Sequence, residues 1–232
     1  MIVTGLMDDW PARRWTLDSL RSRYGDRRVT AARVERGSVS HSAREGIPFE
    51  EIRFGDYLDQ LESGEAATRY MVFPISELLP ELLDDLVVPE YCRDAPWCRA
   101  RFWLSAARTG SPLHRDPPDN LLAQIFGKKR LILFRPEETK NLYPHRMWSG
   151  LPDFSQVDAE RPDHARFPRM RLATPIECEV GEGEILYLPR YWWHQVTSLE
   201  RSASVNFFWA EGARAALARV GQALATLRKL GP

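Results

Sequence analysis

Three residues of this 232-residue chain have the types and spacing to hold a transition metal: His114, Asp116 two positions on, and His194 eighty positions after His114. Two neutral imidazoles and one carboxylate on one face of an ion leave three coordination positions open. That is the ligand set of non-haem Fe(II) oxygenases, whose open positions take a chelating co-substrate and O2. In an extended segment residues i and i+2 point to the same side, so His114 and Asp116 can share an ion while Arg115 points away. A His-x-Asp tripeptide alone is weak evidence. His114 could be a loop residue beside an acid, and His194 a hydrogen-bonded core histidine.

The elements around these residues strengthen the metal reading. His114 lies in Ser111-Pro112-Leu113-His114-Arg115-Asp116-Pro117-Pro118-Asp119-Asn120. His194 follows a turn signal, Gly181-Glu182-Gly183-Glu184, an apolar strand, Ile185 to Leu188, and the run Tyr191-Trp192-Trp193. From Arg99 onward short strands separated by turns predominate: Phe102–Leu104, Leu121–Phe126, Arg130–Phe134, Ile176–Val180, Glu184–Leu188 and Ser202–Trp209. Many short antiparallel strands in one domain predict a sandwich or jelly roll, so the chain is expected to be mainly β.

The segments "SPLHRDPPDNLLAQIFGKKRLILF", "GEGEILYLPRYWWHQV" and "SASVNFFW" resemble the JmjC/cupin-like 2-oxoglutarate oxygenases, in particular the hydroxylase branch around the asparaginyl hydroxylase of hypoxia-inducible factor. The likeness extends to "MIVTGLMDDWPARRW" and "RYMVFPISELLPELLDDLVVPEY". It implies a double-stranded β-helix core with flanking helices, and a catalytic centre of His114, Asp116 and His194 that uses Fe(II), 2-oxoglutarate as co-substrate, and O2. It places Lys129 at the far carboxylate of 2-oxoglutarate, with Ser111 and Tyr70 as hydroxyl donors to that carboxylate. It also sets Asn120 and Asn206 at the iron end of the pocket. An inward lysine fits an anion, because burying its charge costs several kcal/mol unless it is paired. The other reading of Lys128-Lys129-Arg130 is a solvated strand end. Two departures bear on the substrate: Pro117-Pro118-Asp119 follows the carboxylate ligand, and Phe208 stands where that hydroxylase has tryptophan.

The bulk composition, 44% hydrophobic and 28% charged, suits one globular domain, read as 1–98 α/β, 99–210 jelly-roll core with an insertion at 135–175, and 211–232 a C-terminal helix. No run of eighteen apolar residues predicts a membrane span, and no basic region with an apolar stretch opens the chain. Cys92, Cys98 and Cys178 form no CxxC pair, which suits a reducing cytoplasm. Lys+Arg and Asp+Glu balance at 32 each, so net charge gives nucleic acid no support as a partner.

Helical spacing is read at Trp15–Tyr24, Phe49–Leu61 and Ser76–Leu86, the last capped by Ser76, and at Ala213–Lys229, a closing or dimerisation helix. Monomer and homodimer both stay open. The insertion, with His145, His164, Arg146, Arg161, Arg166, Arg169 and Arg171, is either a solvated loop or a mobile substrate-binding lid overhanging the barrel. Its aromatics Tyr143, Trp148 and Phe154 keep an RNA substrate in view. The expected activity is hydroxylation of a protein or peptide side chain. The alternatives are a free amino acid, a natural-product or a tRNA-base substrate, or a non-catalytic cupin-like binding module. Lysine demethylation ranks lower, since the related demethylases more often carry glutamate at the position of Asp116.

Overall fold

Period-two alternation decides this architecture. Along Arg101-Phe102-Trp103-Leu104-Ser105, Phe102 and Leu104 join one buried cluster, while Arg101 and Trp103 line a cavity on the opposite face. The computed structural model describes residues 1–44, 46–216 and 218. Its strands are β1 (Ile2–Val3), β2 (Arg28–Glu35), β3 (Ser38–Val39), β4 (Phe49–Arg53), β5 (Arg69–Pro74), β6 (Trp97–Ser105), β7 (Gly110–Arg115), β8 (Asp119–Phe126), β9 (Lys129–Phe134), β10 (Ile176–Val180), β11 (Ile185–Leu188), β12 (Trp193–Ser198) and β13 (Ser202–Ala210). The helices are α1 (Leu17–Tyr24), α2 (Phe54–Ser63), α3 (Ile75–Leu78) and α4 (Glu90–Arg93).

The strands pair in the order β1-β11-β8-β13-β6-β5-β2-β3-β7-β12-β9-β10, with β4 on the side of β2. This is a nearly closed, barrel-like sheet that folds on itself as a jelly roll. Leu122, Leu131, Leu133, Leu186, Leu188 and Val196 fill the space between its two halves. Outside the first half, Phe102, Leu104, Ile125, Val205 and Phe207 pack on Trp15 and Leu20 and on Phe54, Tyr57 and Leu58 of α2. Thr16 and Ser19 form a reciprocal capping box that starts α1. The Tyr57 hydroxyl donates to the Leu104 carbonyl at 2.7 Å and fixes α2 to the sheet.

Several expectations need correcting. Phe49–Leu61 is not one helix: Phe49–Arg53 pairs as a strand with β2, and α2 begins at Phe54. Ser76–Leu86 is not one helix either. Pro80 lacks the amide a helix interior requires, so α3 stops at Leu78 and a 3-10 turn, Pro80–Asp85, follows; Ser76 makes no cap. The N-terminal segment belongs to the barrel itself, since β2 and β5 extend the sheet beside β6. Of the helix expected at Ala213–Lys229, residues 213–216 and 218 are helical and the rest lies outside the described residues.

The insertion is also not a free loop. Leu113, Ile132, Phe134 and Trp193 face outward from the second half of the sheet, where Leu142, Val157, Phe167 and Met170 of the insertion bury them. The Trp193 indole N–H donates to the Thr139 hydroxyl at 2.9 Å. The segment 142–170 therefore closes the barrel's second outer face as α1 and α2 close the first. Shortening it would strip a core, so the insertion's role in recognition has to be probed at single side chains.

Candidate functional site

β7 and β12 lie side by side, and His114 and His194 are direct cross-strand partners. Their rings stand 4.2 Å apart, centroid to centroid. Each Nδ1–H donates to the carbonyl two residues earlier in the chain, His114 to Pro112 at 2.8 Å and His194 to Trp192 at 3.0 Å. That fixes the tautomer of both rings and leaves each Nε2 with its lone pair free, the arrangement that orients metal-binding imidazoles. Burial, reinforced by His114 and opposed by Asp116, pushes the His194 imidazolium down to about 4, so the ring is neutral near pH 7.

Asp116 stands one residue beyond β7, and its Oδ2 lies 3.5 Å from His194 Nε2. The Asp116 carbonyl accepts from the Tyr191 backbone N–H at 2.7 Å. Tyr191 adopts φ 62°, a left-handed conformation that costs a non-glycine residue about 1–3 kcal/mol, and the turn before β12 keeps that strain. Ligand atoms of His114, Asp116 and His194 all fall within 4.8 Å of one another. Arg115 takes no part in the ligand group; at the cavity's edge it pairs with Asp153 at 2.9 Å and covers the Trp193 ring. Gly110 is required at the other end of β7, because a Cβ there would stand 1.8 Å from the Val196 carbonyl oxygen.

The three residues open onto a cavity of about 350 Å³ that Tyr70, Ser111, Asn120, Lys129 and Asn206 also line, so all eight residues singled out in the sequence meet at one place. Lys129 is only 1% exposed, and among the described residues no carboxylate pairs with it. Its ammonium donates to the Ser204 hydroxyl at 2.7 Å and lies 5.9 Å from the Tyr70 ring centre. Burial alone pushes it down to about 7. The Tyr70 hydroxyl bonds to Ser105 and Ser198, and burial raises its pKa. The Ser111 Oγ is buried with no partner. The Asn206 amide donates to the Asn120 side-chain oxygen at 3.1 Å.

This donor set fits a divalent ion with open positions, and the closed end, with an unpaired ammonium and an orphaned hydroxyl, fits the far carboxylate of a dicarboxylate.

Sequence reasoning missed Ser105, Ser198 and Ser204 at that closed end, and Arg101 and Trp103 along the wall. Alternation on β13, with Ser202, Ser204 and Asn206 against Ala203, Val205 and Phe207, was the available signal for Ser204. Phe154, named only for general stacking, stacks on the His114 ring at 5.2 Å. The His41 ring lies 5.5 Å from the Phe154 ring and 6.3 Å from that of His145.

A family model described as a cupin-like domain matches residues 1–214. Lysine-specific demethylase 8 of Danio rerio is 36% identical over 220 residues, covering 90% of this chain and 53% of that protein. Lysine-specific demethylase JMJ30 of Arabidopsis thaliana is 32% identical over 221 residues, 92% of this chain and 50% of that protein. tRNA wybutosine-synthesizing protein 5 of Gallus gallus is 27% identical over 213 residues, 84% of this chain and 65% of that protein. The chain thus spans about half the length of the two demethylase-named relatives.

Proposed function

The chain belongs to the family of cupin-like domains, and on that premise we propose that it is an Fe(II)- and 2-oxoglutarate-dependent oxygenase that hydroxylates a side chain of a protein or peptide. One observation carries this reading: two imidazoles with free Nε2 atoms and a carboxylate converge at a cavity whose closed end holds an unpaired buried lysine. A non-catalytic module has no need of that combination.

His114, Asp116 and His194 would hold the metal, which when loaded with 2-oxoglutarate and O2 supplies the oxidising power for breaking an unactivated C–H bond. The chain's own residues do the rest. Lys129, Ser111 and the Tyr70 hydroxyl would receive the far carboxylate, fixing how deeply the co-substrate sits. Asn120 and Asn206, already joined, stiffen the wall at the metal end. Leu122, Leu188, Val196 and Trp103 keep the walls apolar and limit competing water.

Within the family we infer a branch acting on protein side chains, from the resemblance of its motifs to those of the asparaginyl hydroxylase of hypoxia-inducible factor. A tRNA base is the second reading, on the relationship to the wybutosine protein. The demethylase names belong to relatives about twice as long. The deciding experiment incubates the purified chain with Fe(II), ascorbate and 2-oxoglutarate. It measures succinate alone and with peptide and RNA pools, and screens both pools for a mass gain of one oxygen. Succinate with an oxygenated peptide is the expected result. No succinate under any condition would reject the oxygenase reading.

Lys129 also gives 2-oxoglutarate binding a pH dependence whose sign is fixed. In the free protein the ammonium loses its proton as pH rises through about 7, whereas a bound dianion holds the proton on. Binding above about pH 7 therefore takes up a proton, and affinity falls as pH rises, by at most about tenfold per pH unit. Calorimetry with Mn(II), in two buffers of different ionisation enthalpy, reads both effects. Flat affinity from pH 7 to 9 would contradict the assignment.

A further inference from the structure

Five charged side chains line the cavity among the described residues: Arg101, Arg115, Asp116, Lys129 and Asp153. Arg115 and Asp153 neutralise each other, Asp116 belongs to the metal centre, and Lys129 sits at the closed end. Arg101 has no such partner. Among the described residues no carboxylate forms an ion pair with it and its guanidinium makes no hydrogen bond; it faces the Phe208 ring, 6.0 Å away, at the limit of a cation–π interaction. It lines the same cavity as Asp116 and feels the charges of both Asp116 and Glu77, the latter already paired with Arg99.

Register says the same. On the inner face of β6, Ser105 pairs across to Tyr70 at the closed end, Trp103 is opposite Ser204, and Arg101 is opposite Asn206. Each step of two residues advances about 6.8 Å, so Arg101 stands about 14 Å nearer the mouth than Ser105. Between them the Trp103 indole N–H is buried with no acceptor. Among the described residues, the wall facing the metal centre therefore presents unpartnered donors and no spare carboxylate. Charge balance sharpens this. A divalent metal and Lys129 are offset by Asp116 and the 2-oxoglutarate dianion, which leaves the charge of Arg101 unanswered. A partly desolvated guanidinium favours a planar carboxylate that can take two of its N–H groups.

We propose that Arg101 receives a carboxylate of the primary substrate, so that the enzyme acts on acidic substrates, an aspartate or glutamate side chain or a small carboxylic acid, rather than on lysine or arginine. This rests on the oxygenase reading and refines its substrate. A cationic side chain would meet Arg101 with no free acid in the described lining to hold it, whereas an acidic one would be anchored beside the metal with its neighbouring C–H bonds presented to it.

The test uses peptides of identical flanks with Asp, Glu, Asn, Lys or Arg at the centre, together with free aspartate and glutamate. Binding is read by calorimetry on protein loaded with Mn(II) and an unreactive oxalyl analogue of 2-oxoglutarate, and turnover by a mass gain of one oxygen with Fe(II). Acidic probes should bind at least about tenfold more tightly than the Lys and Arg probes. R101E should invert that order, R101K should keep part of it, and R101Q should lose the preference if R101E fails to fold. Preference for peptides assigns the substrate to a protein side chain, and binding of the free acids alone assigns it to a small acid; both support the proposal. Tighter binding or oxygenation of Lys or Arg probes by the unaltered protein overturns it and leaves the oxygenase reading intact, as does an order unchanged in R101E. Acidic preference lost in R101E, without turnover of any probe, would uphold the site and reject the oxygenase instead.

Discussion

His194→Ala is expected to abolish succinate formation and to weaken Fe(II) binding by more than about 100-fold, since loss of even an outer partner of a metal ligand costs about 10- to 100-fold. His194 supplies one of three ligand atoms, and its Nδ1–H bond to Trp192 orients the ring rather than holding the strand. β12 keeps its pairing with β7 and β9 through backbone bonds, so circular dichroism should be unchanged. What remains is His114-x-Asp116, a two-ligand site too weak to retain the ion. Titration with Co(II), followed by its visible absorption, separates metal loss from loss of chemistry. Full turnover by the folded variant would remove His194 from the centre.

Lys129→Ala is expected to have a comparable effect by a different route. A desolvated charge-assisted contact is worth about 2–5 kcal/mol, which corresponds to about a 30- to several-thousand-fold loss of 2-oxoglutarate affinity. Metal binding should survive, because Lys129 belongs to the closed end and not to the ligand set. Stability gives a second readout. In the free protein Lys129 is a buried amine with no anion beside it among the described residues, so a similarly shaped Lys129→Met should leave the thermal midpoint unchanged or higher. A variant that lost stability while 2-oxoglutarate affinity held would mean that the lysine is structural.

Much of the centre was legible in the sequence because coordination chemistry restricts which residue types will serve. His114, Asp116 and His194 can be replaced by few others, and their spacing survives in the chain as text. Lys129 was legible through the resemblance. Arg101 was not, because Arg-Ala-Arg-Phe-Trp-Leu reads equally as a strand with a charged end. Only the pairing of Asn206 with Arg101 and of Pro74 with Arg101 shows which face looks inward. Phe49–Leu61 misled for a related reason: its apolar spacing satisfies a helix throughout, and the pairing with β2 that makes its first five residues a strand is a long-range fact. The insertion failed differently. Leu142, Val157, Phe167 and Met170 are buried by an irregular path, and irregular paths leave no period to read.

The cross-strand pairing of His114 with His194 bears on the order of events during maturation. The two histidines come from segments eighty residues apart, and a one-residue slip between β7 and β12 would turn one of them to the outer face. An unfolded or misregistered chain offers an ion no more than His114-x-Asp116. Metal capture therefore cannot seed this barrel as it seeds a zinc finger, where ligands lie close together and binding drives folding. It must come after the slow, long-range strand pairing is complete. Uptake of the ion is in this sense an inspection of the finished fold, passed only by molecules whose register is right.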